Sequence, residues 1–130
     1  MKASSYRLNA RAVVQRRDPV PTRLPEGCVL ALLTAAPDPE GTGLQEIGAY
    51  EYRRQVVAMA NASEGGANKT FRNANWVVFG PALAWPTATH AAVLDDNGDV
   101  LAYGWLETAP GHTRAEELTF APGSIQVRFS

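Results

Sequence analysis

At 130 residues, 45% of them apolar and 19% charged, the chain has the size and make-up of one folded domain, which excludes composition-driven disorder and a pair of ordinary domains. A net charge of −1 conceals an uneven distribution: residues 1–23 carry six Lys/Arg against one acid (+5), and residues 24–130 carry six against twelve (−6). No apolar run approaches the length of a membrane-crossing helix, so no membrane partner is expected; no segment reads as a signal peptide, so synthesis in a cytoplasm is expected.

In chain order, Tyr6, Leu8, Ala10, Ala12 and Val14 alternate with Arg7, Asn9, Arg11, Val13 and Gln15, the period of a half-buried strand. Arg16 and Arg17 end that run, and Pro19, Pro21 and Pro25 impose a stiff, extended connector as far as Gly27. Residues 1–26 therefore read as a basic, proline-rich N-terminal arm and residues 27–130 as the body. A basic arm raises nucleic acid as a partner. Beyond Tyr6, however, the arm lacks interleaved aromatics, and the body offers no basic face, so a protein partner is preferred.

Cys28 opens a continuous apolar run over 28–34, the pattern of a strand covered on both faces. As the only cysteine it excludes a disulfide within the chain and a cysteine-built metal site, and it is expected to be a small buried residue. Residues 38–43, Asp-Pro-Glu-Gly-Thr-Gly, form a flexible connection whose glycines match neither GxGxxG nor GxxxxGK[ST]. Residues 50–59 alternate weakly, with Tyr52, Val56 and Ala58 on one side and Arg53, Gln55 and Val57 on the other; a short helix over 50–62 is the alternative. A small, polar loop follows at 61–69. The glycosylation sequons at Asn61 and Asn68 are read as chance. Residues 70–79 resume a strand, which Gly80-Pro81 is expected to break.

The firmest local prediction is a β-hairpin of 88–95 with 99–107, because Asn97-Gly98 tolerates the positive φ angles of a type I′ turn. Asp95, Asp96 and Asp99 crowd that turn without the ligand spacing of a calcium loop, and read as turn formers. Strands at 117–121 and 125–129 close the chain around Pro122-Gly123, with Leu118 and Phe120 able to face Ile125, Val127 and Phe129. Short strands punctuated by Gly and Pro, with no long amphipathic helix, predict an all-β fold: a single β-sandwich or jelly-roll domain with an extended N-terminal arm.

Catalytic chemistry finds little support. His90 and His112 sit in no metal-binding arrangement, and His90 is expected to be held by neighbouring hydrogen bonds or at a subunit contact. No serine lies in GxSxG, and Glu116 and Glu117, being adjacent, point to opposite faces of a strand. A non-enzyme with no cofactor and no metal is expected. Trp76, Trp85 and Trp105 fit the core or subunit contacts, which is the preferred reading, or a sugar-binding surface on which indole faces stack.

Several stretches together resemble a family of small virion structural proteins of tailed bacteriophages, described as tail-fibre-like or head-decoration proteins. They are LALLTAAPDPEGTG (30–43), Tyr50-Glu51-Tyr52-Arg53-Arg54-Gln55, WPTATHAAVLDDNGDVLAYGWL (85–106) with its Gly104-Trp105-Leu106 ending, and the closing Phe120, Gly123, Ile125 and Val127. The resemblance covers residues 28–129 and leaves residues 1–26 outside. It implies a virion protein with a β-sandwich body that assembles as trimers or on a symmetric lattice. A proline-stiffened basic arm suits crossing a subunit boundary and adding to a neighbour's sheet. The expected role is therefore a capsid cement or decoration protein that holds neighbouring capsid subunits. Its partner-binding residues would be Tyr6, Arg7, Leu8, Arg11, Val14, Arg16, Arg17 and Arg23, and its partners the major capsid protein or other virion proteins. A tail-fibre or baseplate component, or a carbohydrate-binding module, are the alternatives.

Overall fold

The N-terminal alternation becomes two strands, β1 (Ala3–Ser5) and β2 (Arg7–Ala12), in the computed structural model, which describes residues 3–12, 27–38, 43–48, 52–61, 69–82, 88–107 and 116–129. Tyr6, Leu8 and Ala10 point inward and Arg7, Asn9 and Arg11 outward, as the period of two requires. The remaining strands are β3 (Val29–Leu33), β4 (Gln55–Val56), β5 (Met59–Asn61), β6 (Lys69–Asn73), β7 (Val77–Ala82), β8 (His90–Leu94), β9 (Val100–Glu107), β10 (Glu116–Phe120) and β11 (Ile125–Phe129). Among the described residues there is no helix, and so none long and apolar enough to cross a membrane. The fold is all-β.

Eight strands form one sheet in the order β4-β3-β8-β9-β2-β11-β6-β5. Its two outermost strands, β4 and β5, are separated in the chain only by Val57 and Ala58, so the sheet's edges lie within about 11 Å of each other. The sheet must therefore curl until it meets itself. Residues 55–61 act as one strand that changes partner midway. The Val57 N–H donates to the Cys28 carbonyl at 2.9 Å beside β3, and the Ala74 N–H donates to the Ala58 carbonyl at 2.8 Å beside β6. Closure of this kind removes the open edges that invite unwanted pairing.

The other three strands form a sheet in the order β1-β10-β7, continuous with the first because three stretches of chain run through both. Chain passes from β1 to β2 at Tyr6, from β10 to β11 through 121–124, and from β6 to β7 through 74–76. At this corner β1 runs parallel to β10 and β2 parallel to β11, while β7 and β6 run antiparallel to them. Strands that switch sheets make corners of this type. The Tyr6 N–H donates to the Thr119 carbonyl and the Leu8 N–H to the Ser124 carbonyl, both at 2.9 Å. Asn73, only 3% exposed, clamps the corner from β6. Its Nδ2 donates to the Asn75 carbonyl (2.8 Å) and the Ala121 carbonyl (3.0 Å), and its Oδ1 accepts the Ile125 N–H (2.9 Å).

One apolar core fills the space enclosed by both sheets, including Leu8, Leu30, Phe71, Phe79, Val93 and Phe120. The Phe79 and Phe120 rings meet edge-on, centroids 6.2 Å apart, a favoured aromatic geometry. β3 is apolar throughout for a specific reason: Leu30 and Leu32 enter this core, while Ala31 and Leu33 join Ala92 and Leu94 in a second cluster on the opposite face.

Several expectations change in detail. Residues 3–12, assigned above to an arm, are strands of the body's own sheets, and residues 13–26 lie outside the described residues. The alternation across 50–59 does not hold along its length: Tyr52 packs against the core, but so does Val57 from the other set, buried at 1% exposure, while Val56 is 63% exposed, because Val57 is the residue that turns inward where the strand exchanges β3 for β6. Gly80-Pro81 does not end β7. Leu118 pairs with Phe79 and Glu116 with Ala82, so β7 carries one extra residue there. Gly80, at φ 102°, forms a bulge on an edge strand, where the missing proline N–H is tolerated.

The hairpin forms, but its turn is longer than the two-residue type I′. The Gly98 N–H donates to the Asp95 carbonyl at 3.0 Å, which centres the turn on Asp96 and Asn97, and Gly98 follows at φ 86°. This matches the three-residue loop with glycine in the left-handed position. Asp95 Oδ1 accepts the N–H groups of Asn97 and Asp99, each at 2.9 Å, the turn-forming role expected of it. Finally, β10 and β11 lie in different sheets, and their apolar residues face each other across the core without pairing as a hairpin.

Candidate functional site

Alternation along β9, β2, β11 and β6 leaves one set of side chains on the solvent face, and the strand register places them in rows. His90 lies opposite Trp105, Trp105 opposite Asn9, Asn9 beside Gln126, and Gln126 opposite Arg72. Three strand spacings separate Trp105 from Arg72, about 14 Å. A second row runs Tyr103, Arg11, Arg128, Thr70. Among the described residues, Arg7, Arg11, Arg72 and Arg128 are all exposed here, against the one carboxylate of Glu107. The body therefore has a basic face after all. It escaped the linear reading because its arginines are scattered in sequence and meet only through the β2, β11 and β6 register.

Trp105 dominates the face at 69% exposure. One side of its indole leans on the His90 ring, with centroids 4.2 Å apart and planes at 39°. His90 is itself fixed from beneath. Thr89 Oγ1 donates its only proton to the Thr34 carbonyl at 2.9 Å, so in its 2.8 Å contact with His90 Nδ1 the imidazole must be the donor, leaving Nε2 as the acceptor end. Burial lowers the His90 pKa below its ordinary value, favouring this neutral ring. The expectation that neighbouring hydrogen bonds hold His90 is met. Beside the indole, Asn9 Nδ2 donates to Glu107 Oε1 at 2.6 Å, and farther along the row Arg72 Nη2 donates to Gln126 Oε1 at 3.3 Å.

Of the residues predicted to bind a partner, Arg7 and Arg11 are on this face, whereas Tyr6 and Leu8 are buried in the chain's own core. Val14, Arg16, Arg17 and Arg23 lie outside the described residues, as do Trp85 and His112. Trp76 and Trp105 are not core residues. Trp76, 61% exposed, lies at the closure seam beside Val56, itself exposed. Asn75 ties that seam together: its Oδ1 accepts the Ala58 N–H at 2.9 Å, and its Nδ2 donates to the carbonyls of Val56 (3.2 Å) and Trp76 (3.1 Å). Neither Asn73 nor Asn75 carried any signal in sequence beyond being polar.

Two further groupings are structural. The Arg54 guanidinium forks onto both Glu46 carboxylate oxygens (2.5 and 3.1 Å), and the Tyr52 hydroxyl donates to Glu46 Oε2 (2.6 Å) while accepting the Leu32 N–H (3.1 Å). The Arg54 hydrogen bonds hold the Glu46 carboxyl below the usual carboxylate range, against the effect of burial, and burial, then Glu46, pushes the Tyr52 hydroxyl strongly up. This network pins residues 44–47 to β3. The Cys28 thiol is pushed up to about 11 by burial and by Asp95 and Asp96, which keeps it protonated and unreactive. Among the described residues no group of three His, Cys, Asp or Glu could hold a metal ion.

In comparison with known protein families, residues 3–128 match one described as Podophage GP4 fiber I protein gp80. No curated protein and no solved structure gives a significant match.

Proposed function

The chain belongs to the Podophage GP4 fiber I protein gp80 family and is a phage virion structural protein; from that premise we propose that it is a fibre component of the particle's tail, with a structural and not a catalytic role. The observation that carries the reading is the extent of the family match, which runs from β1 almost to the end of β11. The capsid-cement role has less behind it. It relied on a free basic arm, and the apolar side of that arm's first half packs in the chain's own core.

In this reading the fibre protein assembles with further copies of itself, as trimers, and with other virion proteins. Exposed Val56 and Trp76 support a contact of that kind, since large apolar side chains brought together at a surface favour association. The outward Arg7 and Arg11 offer charge to an acidic partner. Separating heads from tails of purified particles and probing each with antibody tests the placement: the tail fraction should carry the protein, and recovery with the heads at capsid-lattice stoichiometry would overturn it.

A further inference from the structure

We propose that the solvent face centred on Trp105 binds an acidic saccharide, with the open face of the indole stacking on a sugar ring and the neighbouring arginines receiving its negative charge. This goes beyond the fibre assignment and does not depend on it, because it concerns the isolated chain.

Three observations converge on that ligand class. First, the Trp105 indole is both exposed and held: His90 supports one side, and a chain of hydrogen bonds through Thr89 to the Thr34 carbonyl fixes His90. A flat, pre-positioned aromatic surface loses little entropy on binding. Second, its exposed neighbours are polar. Asn9, Glu107 and Arg7 are the exposed positions around it on β2 and β9, while Tyr103, the apolar neighbour on β9, is half-buried against the second cluster, so a protein partner that buries apolar surface finds little beyond the indole itself. Sugar rings present just this combination of an apolar C–H face and hydroxyls, and the Asn9 and Gln126 amides and the Glu107 carboxylate can exchange hydrogen bonds with hydroxyls. Third, Arg7, Arg11, Arg72 and Arg128 outnumber Glu107 on the face of a chain whose net charge is −1. Guanidinium forks suit carboxylates and phosphates. Nucleic acid fits less well. Single-stranded nucleic acid is bound on successive aromatic platforms, whereas among the described residues Trp105 is the one exposed aromatic of this face, Tyr103 being half-buried, and a carboxylate lies beside it.

The test uses the intact protein on a glycan array carrying uronate-, sialate- and phosphate-bearing glycans alongside neutral ones, followed by titration of the best ligand against wild type, Trp105→Ala and Trp76→Ala, with a single-stranded oligonucleotide as competitor. Acidic glycans should bind, more weakly as salt rises. Trp105→Ala should weaken binding by roughly tenfold or more with its melting temperature nearly unchanged, and Trp76→Ala should bind as wild type. Binding of no glycan, binding of neutral glycans alone, equal binding by Trp105→Ala, or displacement by the oligonucleotide at lower concentration than the glycan would each overturn the assignment.

Discussion

The backbone carbonyl of Asn9 occupies the space that a Cβ on Gly104 would need; from that position the Asn9 carbonyl carbon is 2.8 Å away and Ala10 Cα 2.9 Å. β2 and β9 approach this closely only because residue 104 has no side chain. The obstruction is backbone, so it cannot rotate aside. Gly104→Ala should cost about 3 kcal/mol, a fall in melting temperature on the order of 10 °C. A melting temperature equal to wild type would show that the two strands are farther apart than described.

Closure of the curled sheet predicts a sharp contrast between adjacent residues. Val57→Ser removes a buried side chain at the point where residues 55–61 change partner, and should destabilise by about 2 kcal/mol. Val56→Ser, on the exposed side, should change stability by less than about 0.5 kcal/mol. Chemical denaturation of both variants decides it, and the reverse order would contradict the inward turn of Val57.

Asn73 should behave as a stability hot spot despite being polar. Asn73→Ala leaves the Ile125 N–H and the Asn75 carbonyl without the partner shown for them and takes one donor from the Ala121 carbonyl, which keeps Ser124, at a cost of about 2 kcal/mol. Asn73→Asp should not recover it at neutral pH, because the carboxylate can accept the Ile125 N–H but turns a buried acceptor onto the Ala121 and Asn75 carbonyls. Equal stability of Asn73→Ala and wild type in a denaturant titration would contradict the clamp.

Acid should weaken the fold through two groups in separate windows. The folded pKa of His90 lies below its ordinary 6.5, so the unfolded chain takes up the proton first, and stability falls as pH drops below about 6.5. Glu46 is held below its ordinary 4.5. Its contribution is present above that value and is lost as pH falls through its folded pKa. Melting temperatures from about pH 8 to about pH 3 should show both declines, the first absent in His90→Gln and the second reduced in Arg54→Gln. The Glu46 and Arg54 side chains are partly exposed, which keeps the pair to about 1 kcal/mol.

Much of the fold was readable from local pattern, and what was not has specific physical causes. Tyr6, Leu8 and Ala10 announced a strand because one face of β2 is buried and the other wet, and the unbroken run after Cys28 announced a strand buried twice over. Asn97-Gly98 marked the hairpin, but the Asp95 carboxylate, by accepting two backbone N–H groups, accompanies a longer loop than the dipeptide alone suggests. The sheet assignment of β10 and β11 was hidden because strands that pair and strands that face across a core share the same alternation. Closure at 55–61 was hidden because two- and three-residue strands are too short to show a period. The site divides in the same way. Exposed Trp105 was a candidate from the start, whereas the arginine face and the support from His90 arise from register, which alternation leaves undetermined.

The claim on which the functional account turns is placement on a fibre. Cryo-electron microscopy of intact particles, with the protein marked by a bound antibody fragment, tests it most directly. The account predicts label on the fibres of the tail and none over the faces of the capsid; label repeated across the capsid lattice would contradict it and return the protein to a cement role.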